Sequence, residues 1–204
     1  RVDAGARLEW LPQETLAYDG CEARNAWQVQ LAPDASLMAM EVLALGLGAA
    51  GRPFTQGRFV QQLAIEGLWR ERGVIDAADA ALLDGPCGRA ARRGLGRLLR
   101  GAGEPLAPEV AESALESARE AIGAANGDVT RDLTDDSAGG LPAGAASAHA
   151  PMLAGATLLH GRLLLLRALA HEVEPLAWLL RSVRGRWRGV VWGLGATEPR
   201  LWAL

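Results

Sequence analysis

Apolar and polar side chains alternate with a period of two along much of the first half of the chain. In residues 22–31, Trp27, Val29 and Leu31 share one side and glutamines occupy the other. That period is typical of a β-strand with one buried face. The same alternation predicts further strands at 7–11, 58–66 and 68–75. We expect the first of them to be buried and to be interrupted at Pro12.

Two carboxylates interrupt strand faces that are otherwise apolar. Residues 36–45 are apolar on both sides apart from Glu41, which predicts a central strand covered on both faces. In the strand 68–75, Glu71 shares its face with Trp69. A buried carboxylate needs a partner. Two explanations stay open: Glu41 and Glu71 are acids paired with arginines, or they line a wet interior path along which carboxylate oxygens pass a divalent cation.

Two stretches in the second half have the period of an amphipathic helix. Apolar residues recur every four positions in 109–125, and Asn126-Gly127 predicts the end of that helix. A second helix is predicted from Pro175, with its apolar stripe at Leu176, Leu179, Leu180, Val183 and Trp187. Arg181, Arg184 and Arg188 are expected on or beside its outer side. Residues 128–151, rich in Asp, Gly, Ala and Ser without a period, predict a mobile surface loop.

The whole pattern predicts a mainly β fold with two α-helices in a single domain, residues 1–204. Residues 156–159 and 162–170 are expected to form a strand pair around a His160-Gly161 turn. Residues 76–100 show no sustained period and receive no assignment. Within them, a series of arginines predicts a local basic patch that holds an acidic partner surface: Arg89, Arg92, Arg93, Arg97 and Arg100.

Composition narrows the classes of function. The formal net charge is −3, and none of the 204 residues is lysine. The charge disfavours nucleic acid and anionic membranes as partners, and the lack of lysine excludes Schiff-base chemistry. Cys21 and Cys87 lie far apart in sequence, so we expect no disulfide framework and a cytoplasmic location. No apolar run is long enough to predict a membrane span.

Residues Gly46–Gly51 match the Gly-x-Gly-x-x-Gly pattern of dinucleotide-binding loops. Such a loop opens a helix whose N-terminus faces the pyrophosphate. Here Arg52-Pro53 and another predicted strand follow, which favours a β-connection. A dinucleotide-binding oxidoreductase remains the alternative function.

The histidines have none of the usual metal-ligand spacings, so no metal ligand is assigned: His149, His160 and His171.

Several segments spread over the chain carry a family resemblance. They are RLEWLPQET at 7–15, MEVLALG at 40–46, WRER at 69–72, GATLL at 155–159 and PRLWA at 199–203. They resemble the UreD family of urease accessory proteins, called UreH in some bacteria. The family loop usually reads Gly-Arg-x-x-x-Gly-Glu-x-Phe, and this chain has Leu47 and Arg52 at the charged positions. The family's N-terminal portion has no counterpart before Arg1.

This resemblance implies a non-enzymatic scaffold with a β-rich superhelical fold. UreD proteins bind apo-urease and, with UreF and the GTPase UreG, deliver nickel to the urease active site. A dimer within the accessory complex is a further expectation. An internal tunnel is the family's proposed nickel route, and Glu71 matches its tunnel-lining glutamate. Glu41 is added on its inward placement alone. The resemblance implies no tightly bound cofactor, and nickel is then an ion in transit.

Overall fold

A computed structural model describes residues 1–134 and 151–203. They are mostly β-strand with few helices, as the sequence predicts. The strands are β1 (Arg7–Trp10), β2 (Thr15–Ala17), β3 (Cys21–Val29), β4 (Ser36–Leu47), β5 (Arg52–Pro53), β6 (Gly57–Ile65), β7 (Trp69–Asp76), β8 (Gly94–Ala102), β9 (Leu153–Leu159) and β10 (Leu163–Ala170). The helices are α1 (Ala80–Leu83), α2 (Pro108–Thr134) and α3 (Val173–Trp192). No helix in these residues is long and apolar enough to cross a membrane.

The strands form two facing sheets. The larger sheet has the order β1-β4-β8-β10-β9, and β2 and β5 also pair with β4. The smaller sheet has the order β3-β6-β7. As predicted, β4 is central and covered on both sides, because one face packs on the helices and the other faces the smaller sheet. Its continuous apolar sequence is the reason for this position.

Helices α2 and α3 cover the outer face of the larger sheet. Every residue of the predicted α3 stripe is buried, and Trp187 Nε1 donates a hydrogen bond to the Ala114 carbonyl oxygen at 2.9 Å. Gly96 of β8 allows this close packing, since a Cβ at that position would lie 3.2 Å from Leu180 Cδ1. The helices therefore cover one face of the larger sheet, and the smaller sheet covers its other face.

Two predicted elements differ from the structure. Strand β1 is an edge strand and not a buried one: Trp10 is 54% exposed. Helix α2 continues past Asn126 and Gly127 to Thr134. A glycine inside a helix costs only about 1 kcal/mol, and the Asn126 side chain exchanges two hydrogen bonds with the Met152 backbone, at 3.0 and 3.2 Å. The predicted loop 128–151 is thus helical at its start, and 135–150 lie outside the described residues.

The unassigned stretch 76–100 contains a buried strand, β8. Both faces of β8 are covered, so the alternation that reveals a half-buried strand is missing. Arg97 and Arg100 are buried within it, and Arg89 is buried as well. The prediction of a basic surface patch at these arginines is therefore wrong.

The glycine-rich segment is a β-connection, as predicted. Gly46 ends β4 with a φ of +74°, and a Cβ there would lie 2.6 Å from the Phe54 nitrogen. A single 3-10 turn then leads into β5, so the helix that a dinucleotide site requires does not follow. Leu47 and Arg52, the departures from the family loop, are direct cross-strand partners. The arginine and the glutamate of the family loop are thus both replaced in this chain, by two residues that lie opposite each other on paired strands.

Candidate functional site

A row of charged side chains crosses the larger sheet on the face that looks at the smaller sheet. Glu41 of β4 lies directly opposite Arg97 of β8, and Arg97 lies directly opposite Arg167 of β10. Glu71 of β7 reaches this row from the smaller sheet and binds two of its members. We call Glu41, Glu71, Arg97 and Arg167 the inter-sheet charge cluster.

One guanidinium joins the two carboxylates of this cluster. Arg97 Nη1 lies 2.8 Å from Glu41 Oε2, and Arg97 Nη2 forms an ion pair with Glu71 Oε1. Arg167 Nη2 pairs with the other oxygen of Glu71. Two carboxylates thus face two guanidinium groups, and the like charges of Arg97 and Arg167 are separated by Glu71. The charges of these four side chains balance in the gap between the sheets.

The remaining oxygen of Glu41 is held by the smaller sheet. Glu41 Oε1 accepts a hydrogen bond from Asn25 Nδ2 at 3.0 Å and one from Trp27 Nε1 at 3.2 Å, both on β3. The predicted need of Glu41 for a partner is confirmed. Three donors thus bind the Glu41 carboxylate, whose side chain is largely buried between the sheets.

The inter-sheet charge cluster separates two apolar layers. Leu37, Leu99 and Leu165 pack on one side of it. Leu43, Phe59 and Ile75 pack on the other. This arrangement follows from the period of two, because a charged residue replaces one apolar residue in each of β4, β8 and β10 on the same face.

A cavity of about 430 Å³ borders the cluster and is lined by all four of its side chains together with Gln61. The exposure falls along the row, since the Arg167 side chain is 56% exposed and the Glu41 side chain 11%. The cluster therefore runs from the surface at Arg167 to the interior at Glu41. It brings together Glu41 and Glu71, the two carboxylates that the sequence singles out.

The described residues contain no cluster with the usual composition of a metal centre. No three His, Cys, Asp or Glu side chains lie close enough there to hold a metal ion. His160 is in the turn between β9 and β10, His171 follows β10, and His149 lies outside the described residues. Burial, followed by the charges of Arg92 and Arg93, lowers the pKa of His171.

A second ion cluster joins the first strand to the last helix. Glu9 of β1 binds Arg184 of α3 through both oxygens, and its Oε2 also binds Arg188. Arg184 is only 2% exposed, so its predicted outward position is wrong. It lies four residues after Leu180 and next to Val183, on the buried side of α3. The position of Arg184 four residues after Leu180, beside the apolar stripe, is the sequence signal for a buried charge, but it does not identify Glu9 as the partner.

The segments RLEWLPQET and PRLWA, which are far apart in sequence, meet at this cluster. The guanidinium of Arg184 lies 5.1 Å from the centre of the Trp202 ring, and that of Arg181 lies 4.8 Å from it. Gln13 Nε2 donates a hydrogen bond to the Leu201 carbonyl oxygen at 3.4 Å. The C-terminal segment is thus fixed against α3 and the first strand.

Comparison with known proteins agrees with these motifs. The model of the family described as "UreD urease accessory protein" matches residues 1–203. The chain is 45% identical over 201 residues to the urease accessory protein UreD of Verminephrobacter eiseniae, a match that covers 98% of the chain and 64% of the relative. It is 43% identical over 202 residues to UreD of Paracidovorax citrulli, again over 98% of the chain and 64% of the relative.

A third relative, the urease accessory protein UreD of Leptothrix cholodnii, is 42% identical over 202 residues, covering 99% of the chain and 64% of the relative. The similarity therefore extends over nearly the whole chain. The chain spans just under two thirds of the length of these relatives, 64% in each of the three.

Proposed function

The chain belongs to the UreD family of urease accessory proteins, and we propose that it serves urease maturation as a non-catalytic scaffold in the cytoplasm. In this role it binds apo-urease together with UreF and the GTPase UreG, as a dimer within the accessory complex. Its cargo is nickel, which passes through the chain without becoming a resident cofactor. Family membership and the matching motifs at both ends of the chain support this role.

Nickel delivery uses the inter-sheet charge cluster as its path. The observation that carries this proposal is the bridge of Arg97 between Glu41 and Glu71 beside a cavity. Carboxylate oxygens bind a divalent cation weakly in comparison with thiolate or imidazole ligands. Weak ligands suit a cation that has to leave again.

Arg97 limits how long a cation stays bound in the path. A Ni²⁺ ion that binds Glu71 and Glu41 has to displace the guanidinium that holds them, so the ion and Arg97 compete for the same oxygens. Glu71, next to the exposed Arg167, receives the ion first, and Glu41 receives it in the interior. When the ion moves on, Arg97 returns and again pairs with both carboxylates, and Arg167 supplies the second positive charge.

The test uses Glu71→Gln in a full-length protein that contains this chain. The amide keeps the size of the side chain and one hydrogen-bond acceptor, for Arg97 or for Arg167, but lowers the affinity for Ni²⁺ because it has no charge. We expect UreF, UreG and apo-urease to copurify as before, while the nickel content of urease falls several-fold under limiting nickel. Glu22→Gln, an exposed substitution on the outer side of β3, is the matched control. Unchanged nickel loading by Glu71→Gln would reject the path.

A further inference from the structure

The outer face of the smaller sheet, which points away from the larger sheet, carries exposed arginines on each of its strands. They are Arg24 on β3, Arg58 on β6, and Arg70 and Arg72 on β7. Each alternates with residues that face the larger sheet, such as Trp27 and Glu71. None of the four forms a salt bridge with another described residue. Arg24 Nη2 donates a hydrogen bond to Gln62 Oε1, a neutral acceptor, so the positive charges of the four arginines have no ion-pair partner among the described residues.

The strand register shapes a groove between three of these arginines. Arg72 lies opposite Gln62, which lies opposite Ala26, and in the next row Arg70 lies opposite Ala64. The small side chains Ala26 and Ala64 form the floor, and the long side chains stand beside it. The resulting groove has a volume of about 520 Å³ and is lined by Arg24, Arg70 and Arg72.

Of the carboxylates near this groove, Glu71, Glu66 and Asp76 accept bonds from other groups, and Glu22, opposite Arg58 on the same outer face, forms no ion pair with a described arginine. Glu71 contributes to the lining, but its carboxylate binds Arg97 and Arg167 on the inner side of the sheet. Glu66 accepts hydrogen bonds from Gln28 and Gln30 at one end of the strands. At the opposite end, Asp76 Oδ1 accepts the Ala78 amide at 2.9 Å. Within residues 1–134 and 151–203, no carboxylate thus forms an ion pair with the arginines of the groove.

We propose that this groove binds an acidic, extended segment of a partner protein. Guanidinium groups bind carboxylates through two parallel hydrogen bonds, and three of them on the two edge strands of the smaller sheet match a row of acidic side chains. Nucleic acid fits less well, because the indole of Trp27, the aromatic residue of the groove lining, is directed inward to Glu41, and because the chain has a net charge of −3. The basic surface that we propose for an acidic partner is thus this groove, and not the patch that the sequence predicts at Arg89–Arg100.

This surface is independent of the nickel path, although both involve β7. Arg70 and Arg72 are the neighbours of Glu71, but they point to the opposite side of the sheet. Substitutions in the groove leave the carboxylates of the inter-sheet charge cluster in place. Loss of acidic-partner binding and loss of nickel transfer are therefore separable outcomes.

The test measures the fluorescence anisotropy of a labelled oligoglutamate peptide against the whole chain at low salt. We expect saturable binding that the triple variant Arg24→Gln, Arg70→Gln, Arg72→Gln weakens by at least about tenfold. The matched control is Arg52→Gln, Arg119→Gln, Arg200→Gln, which removes the same charge from exposed arginines that also form no salt bridge with a described residue. Because all six side chains are exposed, both variants are expected to keep the circular dichroism spectrum and Tm of the natural chain.

The proposal is overturned by any of three results. The oligoglutamate does not bind, the control variant weakens binding as much as the groove variant, or labelled oligothymidylate binds more tightly and loses that affinity in the groove variant. The first two results reject the groove as a binding site. The third assigns it to nucleic acid and not to a protein.

Discussion

The Glu9 carboxylate binds the Arg184 guanidinium through both of its oxygens, which lie 2.9 Å from Nε and 3.0 Å from Nη2. The two residues are 175 positions apart in sequence. Since Arg184 is almost completely buried, its charge is removed from water and depends on this partner. The third donor group, Nη1, binds the Thr197 carbonyl oxygen at 3.0 Å. One arginine therefore connects the first strand, the last helix and the C-terminal segment.

Replacing Glu9 by Gln is expected to lower the free energy of unfolding by about 3 kcal/mol, because it leaves a buried guanidinium without a compensating charge. Urea denaturation measures the change. The control is Glu14→Gln, which removes a carboxylate of the same segment that lies 3.8 Å from Arg181 on the same helix. That partly exposed pair is expected to contribute at most about 1 kcal/mol. Equal effects of the two substitutions would contradict the role given to Arg184.

Removing the guanidinium between Glu41 and Glu71 is expected to expose a latent cation site. Arg97→Met leaves Glu41 without its ion-pair partner, and we expect a loss of about 3 kcal/mol of stability at neutral pH. Ni²⁺ is then expected to raise the Tm of the variant, because the ion binds the folded form through the freed carboxylates. The natural chain, in which Arg97 occupies these oxygens, is expected to show a much smaller shift. Differential scanning fluorimetry with and without nickel measures both effects.

The double variant Arg97→Met, Glu71→Gln is the control for this experiment. It lacks the second carboxylate, so its Tm is expected to respond less to Ni²⁺ than that of the single variant. If nickel stabilises both variants equally, the ion binds outside the inter-sheet charge cluster, and the proposed path loses its main support.

Much of the larger sheet and of the inter-sheet charge cluster could be predicted from local patterns. Strand β4 has an apolar sequence with a single charge, and that charge had to be paired because both faces of the strand are covered. Glu71 alternates with exposed arginines, which is sufficient to place it on the inner face of β7. These inferences need only the period of a strand and the free energy of burying a carboxylate.

The partners of these carboxylates could not be predicted in the same way. Arg97 lies in β8, a strand covered on both faces, whose glycines and arginines hide the usual alternation. The pairing of Glu9 with Arg184 depends on the packing of α3 against the sheet, which no local pattern contains. The sequence likewise predicts a basic patch at Arg89, Arg92, Arg93, Arg97 and Arg100, three of which are buried, and not on the outer face of β3, β6 and β7.

The stability of the fold at acid pH is expected to depend on Asp19, whose side chain binds the backbone of Thr55 and Gln56. Its Oδ1 accepts the Thr55 amide at 2.6 Å and the Gln56 amide at 2.8 Å. These backbone hydrogen bonds lower the pKa of Asp19 below its ordinary value of 3.8. A depressed pKa in the folded state stabilises the fold above the unfolded pKa, and this contribution is lost as the pH falls through the folded pKa.

The measurable consequence is a pH-dependent difference between the natural chain and Asp19→Asn. The natural chain is expected to have the higher Tm at neutral pH, and the difference is expected to shrink once the pH falls below 3.8. Asp34→Asn, in an exposed turn without a hydrogen bond to the side chain from the described residues, is the comparison. A difference that stays constant from neutral to acid pH would show that the Asp19 charge has no role.

Arg100 is expected to respond to substitution in the opposite sense from Arg97, although both lie on β8. It is 6% exposed, and its Nε and Nη1 have no hydrogen-bond partner in the described part of the chain. Burial, followed by the nearby charge of Arg7, lowers the pKa of Arg100 to about 10, so the side chain still carries its charge at neutral pH without compensation. Arg100→Met keeps the length of the side chain and removes this charge. We therefore expect a gain of about 1 kcal/mol in the free energy of unfolding, measured by urea denaturation beside Arg97→Met. A loss as large as that of Arg97→Met would mean that Arg100 is stabilised by a partner as strongly as Arg97 is.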